Sequence, residues 1–195
     1  MTKELSYLDR LAAIFKGVEV TNRNGREPDG IEVACRMFKS AYENDHKVIL
    51  IGNGGSAAIA SHTAIDLSKN ARIPAMAFND PAALTCLAND FGYDQVFAKQ
   101  ISYHALPGDV LVAISSSGMS INILNAVYEV YTRVGFARIV TFSGFDPANK
   151  LRKCGDLNFY VPSDQYGFVE LSHMILLHSI IDKLVLEQQM IEAAE

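Results

Sequence analysis

Residues 47–51, Lys-Val-Ile-Leu-Ile, run straight into Gly52-Asn53-Gly54-Gly55-Ser56, and residues 109–114, Asp-Val-Leu-Val-Ala-Ile, run straight into Ser115-Ser116-Ser117-Gly118-Met119-Ser120. Each is an apolar run that ends in a small, hydroxyl-rich loop and is followed by a helical pattern. Runs apolar on nearly every residue fit strands buried on both faces, the condition of a parallel sheet covered by helices. Strand, Ser/Gly loop and helix N-terminus together suit an anion. Glycine lets the backbone come close, the first helical N–H groups lack internal partners, and the helix dipole favours negative charge there.

The same alternation continues along the chain. Strands are expected at 47–52, 73–78, 109–115, 137–143 and 157–161, and helices at 55–69, 81–88, 93–104, 119–134 and 166–190. The fold class is therefore α/β, a three-layer sandwich around a five-stranded parallel sheet, with ligands at the carboxyl ends of the strands. Ahead of it, apolar spacing predicts helices over 3–20 and 31–44, separated by a polar Gly- and Pro28-containing loop from Asn22 to Gly30. The 195 residues suggest one domain, 1–195, with N-terminal helices over 1–45 and the α/β core and C-terminal helix over 46–195. The C-terminal helix is apolar on more than one face, which implies burial, here against other subunits.

Composition excludes several functions. Hydrophobic residues at 49% are enough for a core. A net charge of −5 without a basic run argues against nucleic acid. No apolar run approaches the ~20 residues of a membrane span, and the N-terminus lacks a signal-like apolar stretch. Cys35, Cys86 and Cys154 are dispersed, without CxxC, and are expected to be buried thiols in a reducing compartment. The expectation is a soluble, cytoplasmic protein. The first loop lacks GxGxxG spacing and no Walker lysine follows, so no nucleotide cofactor is expected.

Four ionisable side chains stand out. His62 and Asp66 are four apart in the helix after the first loop, hence on one face. They are either a surface pair or a base or metal ligand near the anion loop. Glu170 and His178 lie in the apolar C-terminal helix, ~80° apart, so both can line one wall. His173 points to the other side of Glu170 and is the weaker candidate. Two His and two carboxylates suit a divalent transition metal and also suit acid/base catalysis. Ala88-Asn89-Asp90-Phe91-Gly92-Tyr93 falls between two helical segments, as an Asx turn and cap or as a polar loop reaching substrate hydroxyls.

Gly52-Asn53-Gly54-Gly55-Ser56-Ala57-Ala58 followed by His62, then Ala88-Asn89-Asp90 with Gly92-Tyr93 and Phe97, then Ser115-Ser116-Ser117-Gly118 with Ser120 and Asn122, resembles, in order, the motifs of the phosphoheptose isomerases. These are sugar-isomerase (SIS) domain proteins, and the resemblance runs from about residue 5 to 188. It implies a homotetramer with sites at subunit interfaces. It also implies interconversion of sedoheptulose 7-phosphate and D-glycero-D-manno-heptose 7-phosphate through an enediol, feeding heptose to bacterial lipopolysaccharide or capsule. By position, Asn53, Gly54, Gly55, Ser56, Asn89, Asp90, Ser115, Ser116, Ser117 and Ser120 would bind the phosphosugar. Asp66, Glu170 and His178 would be catalytic, and zinc would fall on His62, Asp66, Glu170 and His178. The family usually has Glu where this chain has Asp66 and Gln where it has Glu170, and Ile59 and Ser61 replace residues often polar there. A different ketose phosphate, or a non-catalytic SIS module that senses phosphosugars or partners a replication initiator, is the alternative.

Overall fold

The computed structural model describes residues 5–25, 29–134 and 137–193. Pro28 and the start of the 3–20 helix expectation lie outside them. The strands are β1 (Glu19–Asn22), β2 (Val48–Gly52), β3 (Ala75–Ala77), β4 (Val110–Ser115), β5 (Arg138–Ser143) and β6 (Leu157–Tyr160). They form one sheet in the order β1-β6-β5-β4-β2-β3. The five expected parallel strands are present, β2 to β6. The sheet gains a sixth strand, β1, antiparallel to β6. The 3–20 helix expectation is corrected accordingly. The helix α1 spans Tyr7–Lys16, opened by a Ser6/Asp9 capping box and closed at Gly17, and the β-branched Val20 and Thr21 then extend along the sheet edge.

Successive strand residues point to opposite faces. Val48, Leu50, Val110, Val112 and Ile114 pack beneath α2 (Gly30–Glu43), α3 (Gly55–Lys69) and α7 (Tyr166–Glu192). Ile49, Ile51, Leu111 and Ala113 pack beneath α4 (Pro81–Phe91), α5 (Val96–His104) and α6 (Ile121–Glu129). Two helical layers thus enclose the sheet, as the unbroken apolar runs require. α4 is longer than expected because Asp80 caps it, Pro81 opens it and Gly92, at φ +87°, ends it, so Asn89 and Asp90 occupy its last turn and not an interhelical loop. Of the cysteines, Cys35 is buried, Cys154 is half-buried and Cys86 is exposed, so the buried-thiol expectation holds for Cys35 alone. Among the described residues no helix is long and apolar enough to cross a membrane.

Candidate active site

After β2 the chain moves outward to β3 and then returns across to β4, on the other side of β2. Neighbouring loops leave in opposite directions at such a switch point, and a crevice opens between them. Both Ser/Gly loops lie there. Asn53, Ser56, Ser115, Ser116, Ser117, Ser120, Tyr166 and Glu170 line a cavity of ≈ 120 Å³. The Ser116 hydroxyl is buried without a hydrogen-bond partner among the described residues, and an orphaned buried donor is uncommon in a folded chain. The Ser115 hydroxyl donates to that of Ser120 at 3.2 Å. α3, α6 and α7 begin around the cavity, and none has a side-chain cap, whereas Ser6, Asp29 and Asp80 cap α1, α2 and α4. Among the described residues no lysine or arginine lines the cavity. The donors open to an anion here are hydroxyls, the Asn53 amide and helix N-termini, and the Glu170 carboxylate shares the wall.

The first loop is held by the second. The Asn53 and Asn122 amides donate to one another's oxygens at 2.9 Å each way, and the Tyr93 hydroxyl donates to Asn53 Oδ1 at 3.0 Å. Asn122 Oδ1 also accepts the Ile123 N–H at 3.0 Å, which ties the pair to the first turn of α6. Gly54 turns the loop at φ +54°, and Gly55 lets Glu170 approach, since a Cβ at 55 would sit 2.5 Å from both carboxylate oxygens. Glu170 has no hydrogen bond or ion pair among the described residues.

His178 of α7 meets the His62/Asp66 pair across the α3–α7 contact. Asp66 Oδ2 lies 3.3 Å from His62 Nε2 and 3.9 Å from His178 Nδ1, and the two imidazoles stand 5.2 Å apart, edge to face. One donor atom from each of His62, Asp66 and His178 falls within 4.8 Å of the others, so these three could hold a metal ion. Two imidazoles and a carboxylate suit a divalent transition metal with an open position. Glu170, expected in the same set, is outside this group and lies in the serine cavity. Asn89 and Asp90 are exposed, the Asn89 amide donating to Asp90 at 2.9 Å, and neither lines the cavity.

His173 is a core residue. Its Nε2 faces the Ser143 carbonyl at 3.2 Å, its ring stands edge-on to Phe142, and burial lowers its pKa from 6.5 to about 4. The residue pattern did not single out Tyr166 as a cavity wall, or Asn122 and Tyr93 as supports. The signals available were their places, Tyr166 as the first residue of α7 and Asn122 as the second residue of α6.

A SIS-domain profile matches residues 6–137. The phosphoheptose isomerase of Campylobacter concisus is 38% identical over 156 residues, 77% of this chain and 81% of its own. That of Buchnera aphidicola is 32% identical over 186 residues, 92% of this chain and 93% of its own. Among solved structures, the phosphoheptose isomerase of Neisseria gonorrhoeae superposes with a TM-score of 0.79 at 29% identity, covering 91% of this chain and 95% of its own.

Proposed function

The chain belongs to the SIS-domain family, among the relatives of the phosphoheptose isomerases, and on that premise we propose that it interconverts sedoheptulose 7-phosphate and D-glycero-D-manno-heptose 7-phosphate through a cis-enediol. The carrying observation is the unpartnered Ser116 hydroxyl in a cavity of serines and uncapped helix ends, with Glu170 on its wall. Ser115, Ser116, Ser117 and Ser120 donate to the phosphate, assisted by N-terminal amides of α6. At ≈ 120 Å³ the cavity is well below the roughly 300–1,000 Å³ of whole-ligand pockets, so it takes the charged end. The sugar then extends along Asn53, Gly54, Gly55 and Ser56. Asn89 and Asp90, by family position, meet it once a neighbouring subunit or a bound ligand reshapes the exposed end of α4.

Isomerisation moves one proton between C1 and C2 and a second between the two oxygens. Glu170, half-buried and without a partner among the described residues, is the better base for the carbon-bound proton. Asp66, faced by both imidazoles, orients His178, which exchanges the proton on the oxygens. His62, Asp66 and His178 would hold zinc, whereas Glu170, on the same helix as His178, lies with the serine cavity. When bound, zinc would supply Lewis-acid polarisation of those oxygens. The active form is a cytoplasmic homotetramer, each protomer one unit over residues 1–195, and its product supplies heptose for lipopolysaccharide or capsule.

The test is a coupled assay on sedoheptulose 7-phosphate in heavy water. The expected product carries one solvent deuteron on carbon. Turnover of a different ketose phosphate alone would overturn the substrate, and absence of turnover across C6 and C7 phosphosugars, with and without added zinc, would overturn the enzyme assignment.

A further inference from the structure

A second cavity, of ≈ 480 Å³, lies where β4 and β5 begin, at the end of the sheet opposite the serine loops. One face of α2 forms its wall, and Val110, Arg138 and His46 form its floor and far side. Among the described residues its lining contains two arginines and a histidine and no carboxylate, in a chain whose net charge is −5. Arg138 is exposed, and among the described residues it is the arginine whose guanidinium has no partner. Each of the others is engaged: Arg10 by Gln165, Arg23 by Asp156, Arg36 by Glu32, Arg72 by Glu192, Arg133 by Glu129 and Arg152 by Glu19. Arg36 uses one terminal nitrogen on Glu32, at 3.0 Å, which leaves further N–H groups for the cavity. His46 is fixed rather than loose. Its ring packs on Gly108, where φ is +98° and a Cβ would collide with the imidazole, and its Nδ1 faces Asp109 at 4.0 Å. Asp109 is itself occupied by Lys47 and by the Lys47 and Leu106 amides, so it does not neutralise the arginines.

We infer that this cavity binds a small organic phosphate as a site separate from the serine cavity. Guanidinium groups match phosphoryl oxygens in a bidentate fork. Val33, Met37, Ala41 and Val110 offer the apolar surface that an organic body needs, and the volume falls within the roughly 300–1,000 Å³ of small-molecule sites. The six residues of β4 separate the two cavities by about 20 Å at ~3.3 Å per residue, so one ligand does not span both. The inference does not depend on the isomerase assignment.

The probe is adenosine 5′-monophosphate, titrated calorimetrically into the full chain, with adenosine as the uncharged control. The wild type is expected to bind the monophosphate with a Kd below about 1 mM and not to bind adenosine. Arg138→Gln is expected to weaken binding about tenfold, the value of one charge-assisted hydrogen bond, and Arg36→Gln/Arg138→Gln to abolish it. Ser116→Ala is expected to leave it unchanged. Both arginines are exposed, so melting temperatures of the variants should match the wild type. No binding at millimolar monophosphate, equal binding by the double variant, or loss of binding in Ser116→Ala would each overturn the site.

Discussion

Asn53 reaches the cavity only because Asn122 and Tyr93 hold it from two sides. Asn122→Ala deletes a reciprocal pair of hydrogen bonds and frees the loop, so kcat/KM is expected to fall about 10- to 100-fold, as small misplacements do. Tyr93→Phe removes one bond and should cost only a few-fold. Steady-state kinetics well below the melting temperature separate this from folding, and an Asn122→Ala enzyme with lowered stability but unchanged kcat/KM would make the pair purely structural. His173 yields a pH prediction. Ser143 accepts from Nε2, so a second proton would go to Nδ1, which is buried without a partner among the described residues. The folded pKa, about 4, is below the ordinary 6.5, so the unfolded chain takes up the proton first as pH falls. The contribution is complete above pH 6.5, is lost between 6.5 and about 4, and amounts to about 3 kcal/mol. Urea denaturation at several pH values should show wild type and His173→Gln converging by about that amount on the acid side; parallel curves would refute it. The serines and the His62/Asp66 pair were legible because loop and helix spacing encode them locally. The Asn53–Asn122 pair was not, because it joins loops that only the sheet brings together. Glu170 and His178 share a helix, yet the packing of α3 directs one to the serines and the other to Asp66.

α3 begins directly above the end of β2, and two glycines there carry different constraints. A Cβ at Gly52 would sit 2.5 Å from the Ser56 backbone carbonyl, which cannot swing aside. Gly52→Ala is expected to destabilise by about 1–3 kcal/mol, as overpacking does, and to lower the melting temperature by several degrees. At Gly55 the atoms nearest to the added one belong to the Glu170 carboxylate, the far end of a flexible side chain. Gly55→Ala should therefore melt near the wild type while losing activity as Glu170→Gln does, about 100-fold if that carboxylate is the base. Paired calorimetry and kinetics check both, and a Gly55→Ala enzyme of full activity would remove Glu170 from the base role. At this scale the long helices and buried strands were legible, since period and unbroken apolarity are local properties. β1 was not. Val20 is the one apolar residue of its four, too few to mark a strand, and pairing with β6 makes them one. The end of α4 was set too early because Asn89 and Asp90 favour turns, while the glycine that stops the helix stands at 92.

In the whole molecule the His62, Asp66 and His178 group stands on a surface unfinished in one chain. Ile175 and Leu171, 39% and 43% exposed, lie three and seven residues before His178, on the same side of α7. On α3, Ile65 is 57% exposed beside Asp66, and it shares a shallow groove with Met76 of β3, 40% exposed. β3 is also the sheet's open edge. Large side chains exposed on one side of both helices, next to candidate catalytic groups, fit a face covered by a second copy, which would also exclude water from the sugar. The sequence pointed to this through a C-terminal helix apolar on several faces, but not to which face remained open, because burial by the sheet and burial by a partner leave the same apolar pattern. Ile65→Asp places a charge on that surface without touching the serine cavity. Sedimentation of the wild type should show an oligomer at micromolar concentration, and Ile65→Asp should shift it toward smaller species with activity falling in proportion to the oligomer lost. A wild-type monomer with full turnover would show that one chain completes the site. An Ile65→Asp protein that stays assembled and active would move the interface to another face of the molecule.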